Sequence, residues 1–130
     1  MEIKLARESQ LLEVLYIIRE CAEQLMDKGV KSWHNTHADY SEISSDIRKN
    51  QVYIVFLKGV PVGTITLKPD TETAGTLNID RLAIFPHFQR RGLARAAIDF
   101  AVEYSRQNGF KTLRGIIPLF NKTLCKMMED

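Results

Sequence analysis

Apolar residues recur along this chain at two different spacings, and each spacing predicts one type of element. Where they recur at every third and fourth position, they form one face of a helix. This pattern predicts three helices, within 11–25, 40–50 and 93–104. Runs that alternate, or that are rich in β-branched and aromatic residues, predict strands instead. These runs predict five strands, over 2–6, 52–57, 62–67, 79–85 and 112–117.

The order of these elements predicts the fold class. A last helical segment is expected over 121–130, so the order is β-α-α-β-β-β-α-β-α. This order is typical of an α/β protein whose mixed sheet carries helices on both faces. The chain has 130 residues, of which 45% are hydrophobic. Residues 1–130 are therefore expected to form a single domain around one core.

The charged residues exclude several classes of partner. They make up 26% of the chain, and the net charge is +2. The basic residues are spread along the sequence, apart from the arginines near position 90, so nothing favours a nucleic acid or a membrane surface. No apolar run reaches the ~18 residues of a membrane span, and the acidic start is unlike a signal peptide. We expect a cytoplasmic protein.

Residue types that bind metals are present, but they are not grouped. Cys21 and Cys125 are far apart and form no paired motif, so neither a metal site nor a disulfide framework is expected. His34 and His37 are close together but have no third ligand nearby. Because a structural metal site needs about four ligands, we expect no metal ion.

The stretch from Gln89 to Arg95 lies between the fourth predicted strand and the third predicted helix. Pro86 ends that strand, since proline offers no amide to continue a ladder. The first amides of the helix have no partner within it, and they lie at the positive end of the helix dipole. Gly92 allows close approach, and arginines at 90, 91 and 95 add positive charge, so the junction favours a phosphate. A solvated basic helix start would have the same local sequence.

The spacing Gln89-x-x-Gly92-x-Ala94 resembles the Q/R-x-x-G-x-G/A signature of the GNAT superfamily of acetyl-CoA-dependent N-acetyltransferases. The strand residues from Arg81 to Pro86 and the long amphipathic helix after the signature also match that family. The likeness extends to the order of elements over residues 1–130, and the stretches 29–33 and 62–65 match recurrent patterns of the family's small bacterial members. It implies a GNAT-like fold whose fourth and fifth strands splay apart around the cosubstrate.

The resemblance also implies which residues bind acetyl-CoA. Those expected to bind its pyrophosphate, through amides and side chains, are Gln89, Arg90, Arg91, Gly92, Leu93, Ala94 and Arg95. The pantetheine arm would pair with the main chain near Ile84, and the amide of Leu82 would point at the thioester carbonyl. Asn121 would also contact the cosubstrate. Trp33 would contact the acceptor; the alternative is that it covers the edge of the core.

Acetyl transfer to an amine needs a proton acceptor, because an ammonium ion is not a nucleophile. Asp80 is the one carboxylate on the central predicted strand, and by strict alternation it shares a face with Leu82 and Ile84. A bulge in the strand would break that alternation. The alternative role for Asp80 is a surface ion pair with a neighbouring Arg or Lys.

The chain departs from the family at the residue expected to protonate the leaving thiolate. In many relatives the last helix begins with an Asn and carries a Tyr seven residues later. Here Asn121 is followed at that spacing by Met128, which has no proton to give. Tyr40, Tyr53 or a water molecule would have to serve, or the thiolate leaves unassisted.

The C-terminal end is a second departure from the family. The family continues with two more strands, whereas this sequence ends at Asp130. The fifth strand would then be an unpaired apolar edge, which favours association with another chain. We therefore expect either a longer natural chain or a homodimer.

The combined pattern predicts an enzyme. The predicted activity is N-acetyl transfer from acetyl-CoA to a primary amine of a small molecule or peptide, by direct attack in a ternary complex. A module that binds acetyl-CoA without turnover is the alternative. An anion-sensing or nucleic-acid-binding domain would instead show an affinity that falls steeply with salt.

Overall fold

The computed structural model describes residues 1–27, 39–117 and 122–127. Within these residues the three α-helices are α1 (Leu11–Asp27), α2 (Tyr40–Arg48) and α3 (Leu93–Gln107). The six strands of the described part are β1 (Glu2–Leu5), β2 (Val52–Leu57), β3 (Val60–Pro69), β4 (Thr76–Ile84), β5 (Thr112–Ile117) and β6 (Lys122–Met127). Short 3₁₀ turns cover Glu8–Gln10 and Pro86–Phe88.

The six strands form one mixed sheet in the order β1-β2-β3-β4-β5-β6. The pair β4–β5 is parallel and every other neighbouring pair is antiparallel. A parallel pair needs a long crossover, and α3 supplies it. The predicted α/β class and mixed sheet are therefore confirmed.

Helices cover both faces of this sheet, as predicted. On one face α1 and α2 pack against the strands, and the buried strand residues there are Val52, Ile54 and Ala83. On the other face α3 packs against a second cluster, whose strand residues are Val55, Val62, Ile65, Leu67, Leu77, Ile79, Leu82, Ile84 and Leu113. We call these the α1/α2 face and the α3 face. The core is thus divided into two layers by the sheet.

The predicted start of α2 is confirmed. The Asp39 carboxylate accepts hydrogen bonds from the N–H groups of Ser41 and Glu42, at 2.8 and 3.4 Å. These are amides that have no partner within the helix, so the cap fixes where α2 begins.

The predicted helix over 121–130 is wrong for the part that the structure describes, because 122–127 form β6. All six residues pair with β5, from Thr112–Met127 to Ile117–Lys122. An open strand edge offers a full row of hydrogen-bonding groups, and satisfying it outweighs the weak helix preference of a short segment. The predicted unpaired edge at β5 is therefore also wrong, and it no longer gives a reason to expect a homodimer.

No helix in the described part of the chain combines the length and the apolar character that a membrane span requires.

Candidate active site

Strands β4 and β5 separate part-way along β4. Their pairing runs from Thr76–Thr112 to Ile79–Gly115 and ends there. The pairing of β4 with β3 continues to Ile84–Gly63. From Asp80 onward β4 therefore still pairs with β3 on one edge but no longer pairs with β5 on the other. We call this opening the fork; it corresponds to the splayed strands that the family resemblance implied.

Gly115 lies at the closed end of the fork. A Cβ at this residue would be 2.9 Å from both the Cβ and the carbonyl oxygen of Ile79, closer than real Cβ atoms approach. Only glycine lets β5 come this close to β4 at their last pair. The sequence analysis missed this residue, although a glycine inside a strand is a known signal of close backbone approach.

Strand β4 carries a bulge at the fork. Thr66 pairs with Asp80 and Thr64 pairs with Ala83, so both Arg81 and Leu82 lie opposite Ile65. Arg81 adopts a left-handed backbone conformation with φ 49°. The extra residue reverses the alternation of side chains after Asp80.

The bulge overturns the expectation that Asp80 shares a face with Leu82 and Ile84. Ile65 and Leu67 lie in the core of the α3 face, so Thr66 between them, and its partner Asp80, face the other side. Leu82 and Ile84 are buried on the α3 face. The Asp80 carboxylate accepts a hydrogen bond from the Arg81 N–H at 3.1 Å. It is the first residue of β4 beyond the last pair with β5, so it lies at the closed end of the fork.

The main-chain groups of Leu82 and Ile84 face the fork. The N–H of Phe85 donates to the carbonyl of Val62 at 2.8 Å, which directs Phe85 toward β3. In an antiparallel ladder every second residue bonds to the same neighbour, so Ala83 also faces β3. Ile84 lies between these positions and Leu82 directly precedes Ala83, after the bulge residue Arg81, so the same alternation turns the N–H groups of Leu82 and Ile84 toward the side that β5 has left.

The carbonyl of Ile84 is already occupied. It accepts hydrogen bonds from Cys21 Sγ at 3.0 Å and from Gln89 Nε2 at 2.9 Å. A carbonyl oxygen has two lone pairs, so these donors fill it. Burial, with a smaller contribution from the charge of Glu20, raises the pKa of the Cys21 thiol to about 12, and it stays protonated as a donor. The N–H of Ile84 is the group left for a ligand.

Gln89 points inward, which the resemblance did not imply. Its side-chain amide bonds to Ile84 and exchanges two hydrogen bonds with Gln24 of α1. The side chain is therefore engaged within the protein, and only its main chain remains for a phosphate.

The turn from Arg90 to Gly92 opens onto solvent at the start of α3. Arg90 and Gly92 have left-handed φ angles of 65° and 79°, whereas Arg91 between them does not. Changes of hand between neighbouring residues direct successive N–H groups to one side, which forms an anion-binding concavity. A Cβ at Gly92 would meet no atom within 4 Å, so the space above it is open.

The first turn of α3 adds further donors to this concavity. Gly92 is the N-cap, and no side chain in the described residues caps the helix. The first intrahelical bond runs from the Ala96 N–H to the Gly92 carbonyl at 3.0 Å, so the amides of 93–95 precede it. The side chains of Arg90, Arg91 and Arg95 are exposed. The Arg91 guanidinium lies over the Phe88 ring, 5.4 Å from its centroid. Together these groups can bind a di-anion.

A comparison with known proteins decides the family. The sequence matches the model of the acetyltransferase (GNAT) family over residues 13–129. The chain belongs to the GNAT acetyltransferase family. No curated protein matches the sequence.

Solved GNAT structures resemble the fold of this chain. The PaiA N-acetyltransferase of Thermoplasma acidophilum, in complex with coenzyme A, is 16% identical over 89% of this chain and 78% of that one, with a TM-score of 0.72. The ribosomal-protein-alanine N-acetyltransferase of Brucella melitensis is 17% identical over 88% and 73%, with a TM-score of 0.69. At these identities the likeness shows a shared fold.

A longer protein also contains this fold. The N-acetylglutamate synthase of Neisseria gonorrhoeae, complexed with coenzyme A and N-acetyl-glutamate, is 21% identical over 88% of this chain, with a TM-score of 0.70. This chain spans only 24% of that protein. Two of these neighbours are thus described in complex with coenzyme A.

An ion-pair cluster beside the fork was missed by the sequence analysis. Arg81 bonds to Asp46 at 2.5 Å and to Glu42 at 2.8 Å, both on α2. Lys68 of β3 contacts the same two carboxylates, at 2.8 and 3.4 Å. The available signals were Arg81 within an apolar strand and Asp46 next to Ile47 on the apolar stripe of α2. In this GNAT chain the cluster joins α2 to the bulge.

The remaining predicted site residues are placed differently. Tyr53 packs against Phe100 and Tyr104 of α3, with ring centroids 5.0 and 6.1 Å away. Burial, and then the neighbouring Tyr104, raise the pKa of Tyr53 to about 12. It lies on β2, two strands from β4 and therefore roughly 10 Å from Leu82. Tyr40 is exposed at the start of α2.

Two predicted site residues, Trp33 and Asn121, lie outside the described residues, as does Met128 at the position of the family's Tyr. Among the described residues, no three His, Cys, Asp or Glu side chains are grouped so that they could hold a metal ion.

Proposed function

We propose that this chain is an N-acetyltransferase that moves the acetyl group of acetyl-CoA to a primary amine of a small molecule or peptide, by direct attack within a ternary complex. The fork carries this proposal: it presents the N–H groups of Leu82 and Ile84 next to a turn that favours phosphate. Membership of the GNAT acetyltransferase family supports the reaction type. The proposal assigns the activity to residues 1–130 as a single domain.

The residues of the turn fit the cosubstrate. Its pyrophosphate would bind the main-chain amides from Gln89 to Arg95, with Arg90, Arg91 and Arg95 adding charge. Open space above Gly92 supports close approach of the phosphates. A pantetheine carbonyl would accept from the Ile84 N–H, since the Ile84 carbonyl is occupied. The resemblance adds Asn121 as a further contact.

The reaction itself requires two groups of the chain. Acetyl-CoA supplies an activated acetyl thioester. The Leu82 N–H would donate to the thioester oxygen, where negative charge develops; one such donor lowers the barrier by about 3 kcal/mol. The amine nitrogen bonds to the acetyl carbon, the C–S bond breaks with its electron pair leaving on the thiolate of coenzyme A, and the amine proton passes to the Asp80 carboxylate. Trp33 is our candidate for the acceptor contact.

Turnover measured over a panel of amines tests the proposal. Purified protein is mixed with acetyl-CoA and small amines, diamines, amino acids or peptides, and free thiol is followed together with the mass of the product. We expect thiol release in step with an acetylated amine for at least one class. Binding of acetyl-CoA by calorimetry, with no acetylated product from any amine, would instead identify a binding module.

A further inference from the structure

Arg81 combines two unfavourable features at one residue. Its φ of 49° lies in the left-handed region, which side chains with a Cβ rarely adopt. Its guanidinium is buried, with the residue only 2% exposed, and buried charges are costly unless they are paired. Strain of this kind persists only where the surrounding structure holds it, and it concentrates at functional sites.

The ion pairs of Arg81 provide that support. Its two terminal nitrogens each meet a carboxylate of α2, from Asp46 and Glu42. Lys68 on β3 meets the same carboxylates, so two cations and two anions balance. Arg81 Nε and Thr66 Oγ1 are buried and have no hydrogen-bond partner among the described residues. The guanidinium is thus held between α2 and the bulge by its two terminal nitrogens.

The bulge decides which main-chain groups reach the fork. Asp80 pairs with Thr66, and Ala83 pairs with Thr64. Between these two pairs β4 has two residues, whereas β3 has only one. Without the extra residue, the alternation that directs Asp80 toward β3 would direct Leu82 and Ile84 there as well. Their N–H groups would then form hydrogen bonds with β3. Arg81 is the residue that shifts them to the open side.

We propose that Arg81 is a positioning residue for acetyl transfer: its ion pairs to Asp46 and Glu42 hold the bulge that turns the Leu82 N–H into the fork. This inference rests on the proposed function, in which that N–H stabilises the developing oxyanion. Arg81 acts through the main chain and does not touch the substrate.

Three variants and one control test this role. Arg81→Met and Asp46→Asn remove one partner of the pair, and Arg81→Lys keeps the charge. Arg114→Met is the control, because Arg114 of β5 forms another arginine–aspartate pair among the described residues, with Asp70, where β5 still pairs with β4. Asp46→Asn keeps Arg81 paired with Glu42, so it remains informative if Arg81→Met fails to fold.

The measurements separate positioning from general stability. A small displacement of catalytic groups costs on the order of 10²-fold in rate, so we expect kcat to fall by roughly 10-fold to 100-fold in Arg81→Met and Asp46→Asn. The calorimetric Kd for coenzyme A should change by less than about threefold, since the phosphate turn is untouched. Arg81→Lys should recover most of kcat. Arg114→Met should lower Tm but leave kcat unchanged.

A second readout does not depend on turnover. In ¹⁵N-labelled protein, adding acetyl-CoA should shift the Leu82 amide resonance of the wild type, and this shift should be lost in Arg81→Met. If the wild type acetylates no amine but shows the shift, and Arg81→Met loses it, the proposed function fails while Arg81 still positions the Leu82 N–H in the fork. Unchanged kcat and an unchanged Leu82 shift in Arg81→Met and Asp46→Asn would overturn the inference, as would an equal loss of kcat in Arg114→Met.

Discussion

The side chains of Gln24 and Gln89 exchange two hydrogen bonds: Gln89 Nε2 donates to Gln24 Oε1 at 2.7 Å, and Gln24 Nε2 donates to Gln89 Oε1 at 3.0 Å. Gln89 also holds the carbonyl of Ile84 at 2.9 Å. One amide therefore joins α1, the end of β4 and the start of the turn that we propose binds phosphate. The position of the turn depends on a helix 65 residues earlier in the chain.

Replacing Gln24 with alanine should weaken binding of coenzyme A, although the residue lies outside the GNAT signature. The change leaves the Gln89 amide short of partners, at a cost of about 1–3 kcal/mol, and loosens the turn. We expect a lower Tm and a Kd for coenzyme A raised by severalfold, measured by calorimetry. Gln107→Ala is the control, since Gln107 makes a comparable bond to Glu103 on the exposed side of α3. An unchanged Kd in Gln24→Ala would show that the turn holds its shape without α1.

A negative charge at Gly92 should abolish binding of acetyl-CoA. Any residue with a Cβ is strained at the φ of 79°, by roughly 1–2 kcal/mol, so Gly92→Ala and Gly92→Glu should lose similar stability. The two variants differ in charge and bulk where the pyrophosphate is proposed to bind. We expect Gly92→Glu to raise Kd by at least about 100-fold, and Gly92→Ala by clearly less. Equal affinities in the two variants would show that the phosphate does not bind at this turn.

Replacing Asp80 with asparagine should slow turnover but preserve binding of acetyl-CoA. Loss of a general base costs typically 10²-fold to 10⁴-fold, and the remaining rate should follow the fraction of amine already deprotonated in solution. The pH profile of kcat/KM should therefore rise continuously toward the pKa of the amine. Glu103→Gln removes an exposed carboxylate of α3 and should leave the profile unchanged. A wild-type profile in Asp80→Asn would mean that Asp80 is not the base.

The Cys21 thiol should make the fold sensitive to alkali. Its pKa is 9.0 in the unfolded reference and about 12 in the folded protein, so below pH 9 both states hold the proton and stability is complete. Above that pH the unfolded state loses its proton first, and stability falls until the folded thiol also ionises. At about pH 10.5 the expected loss is about 2 kcal/mol.

Cys21→Ser provides the comparison for this prediction. A serine hydroxyl can still donate to the Ile84 carbonyl but does not ionise in this range. Tyr53 is common to both proteins, so its titration cancels. We expect Tm to fall less between neutral and alkaline pH in Cys21→Ser than in the wild type. Parallel Tm curves would show that the thiol does not contribute.

The sequence alone determined the elements whose signals are local. The apolar stripes of α1 and α3 predicted helices because burial of one face needs a period of 3.6 residues. The run from Val52 to Leu57 predicted a strand because it is rich in β-branched and aromatic residues. The start of α2 is a local feature of the same kind, since the Asp39 cap and the amides it satisfies lie within three residues. The turn around Gly92 was also readable, and with it the family.

Only the tertiary structure decided the features that depend on a partner distant in sequence. The segment 122–127 becomes a strand because the edge of β5 is there to be paired. Gln89 turns inward because Gln24 meets it, and Leu82 and Ile84 lie on the opposite face from Asp80 because a bulge adds one residue to the strand between them. These side chains and main-chain groups could satisfy their hydrogen bonds and charges in several ways. Which way is chosen depends on what the fold brings beside them, and a one-residue shift in a strand exchanges the two faces of everything that follows.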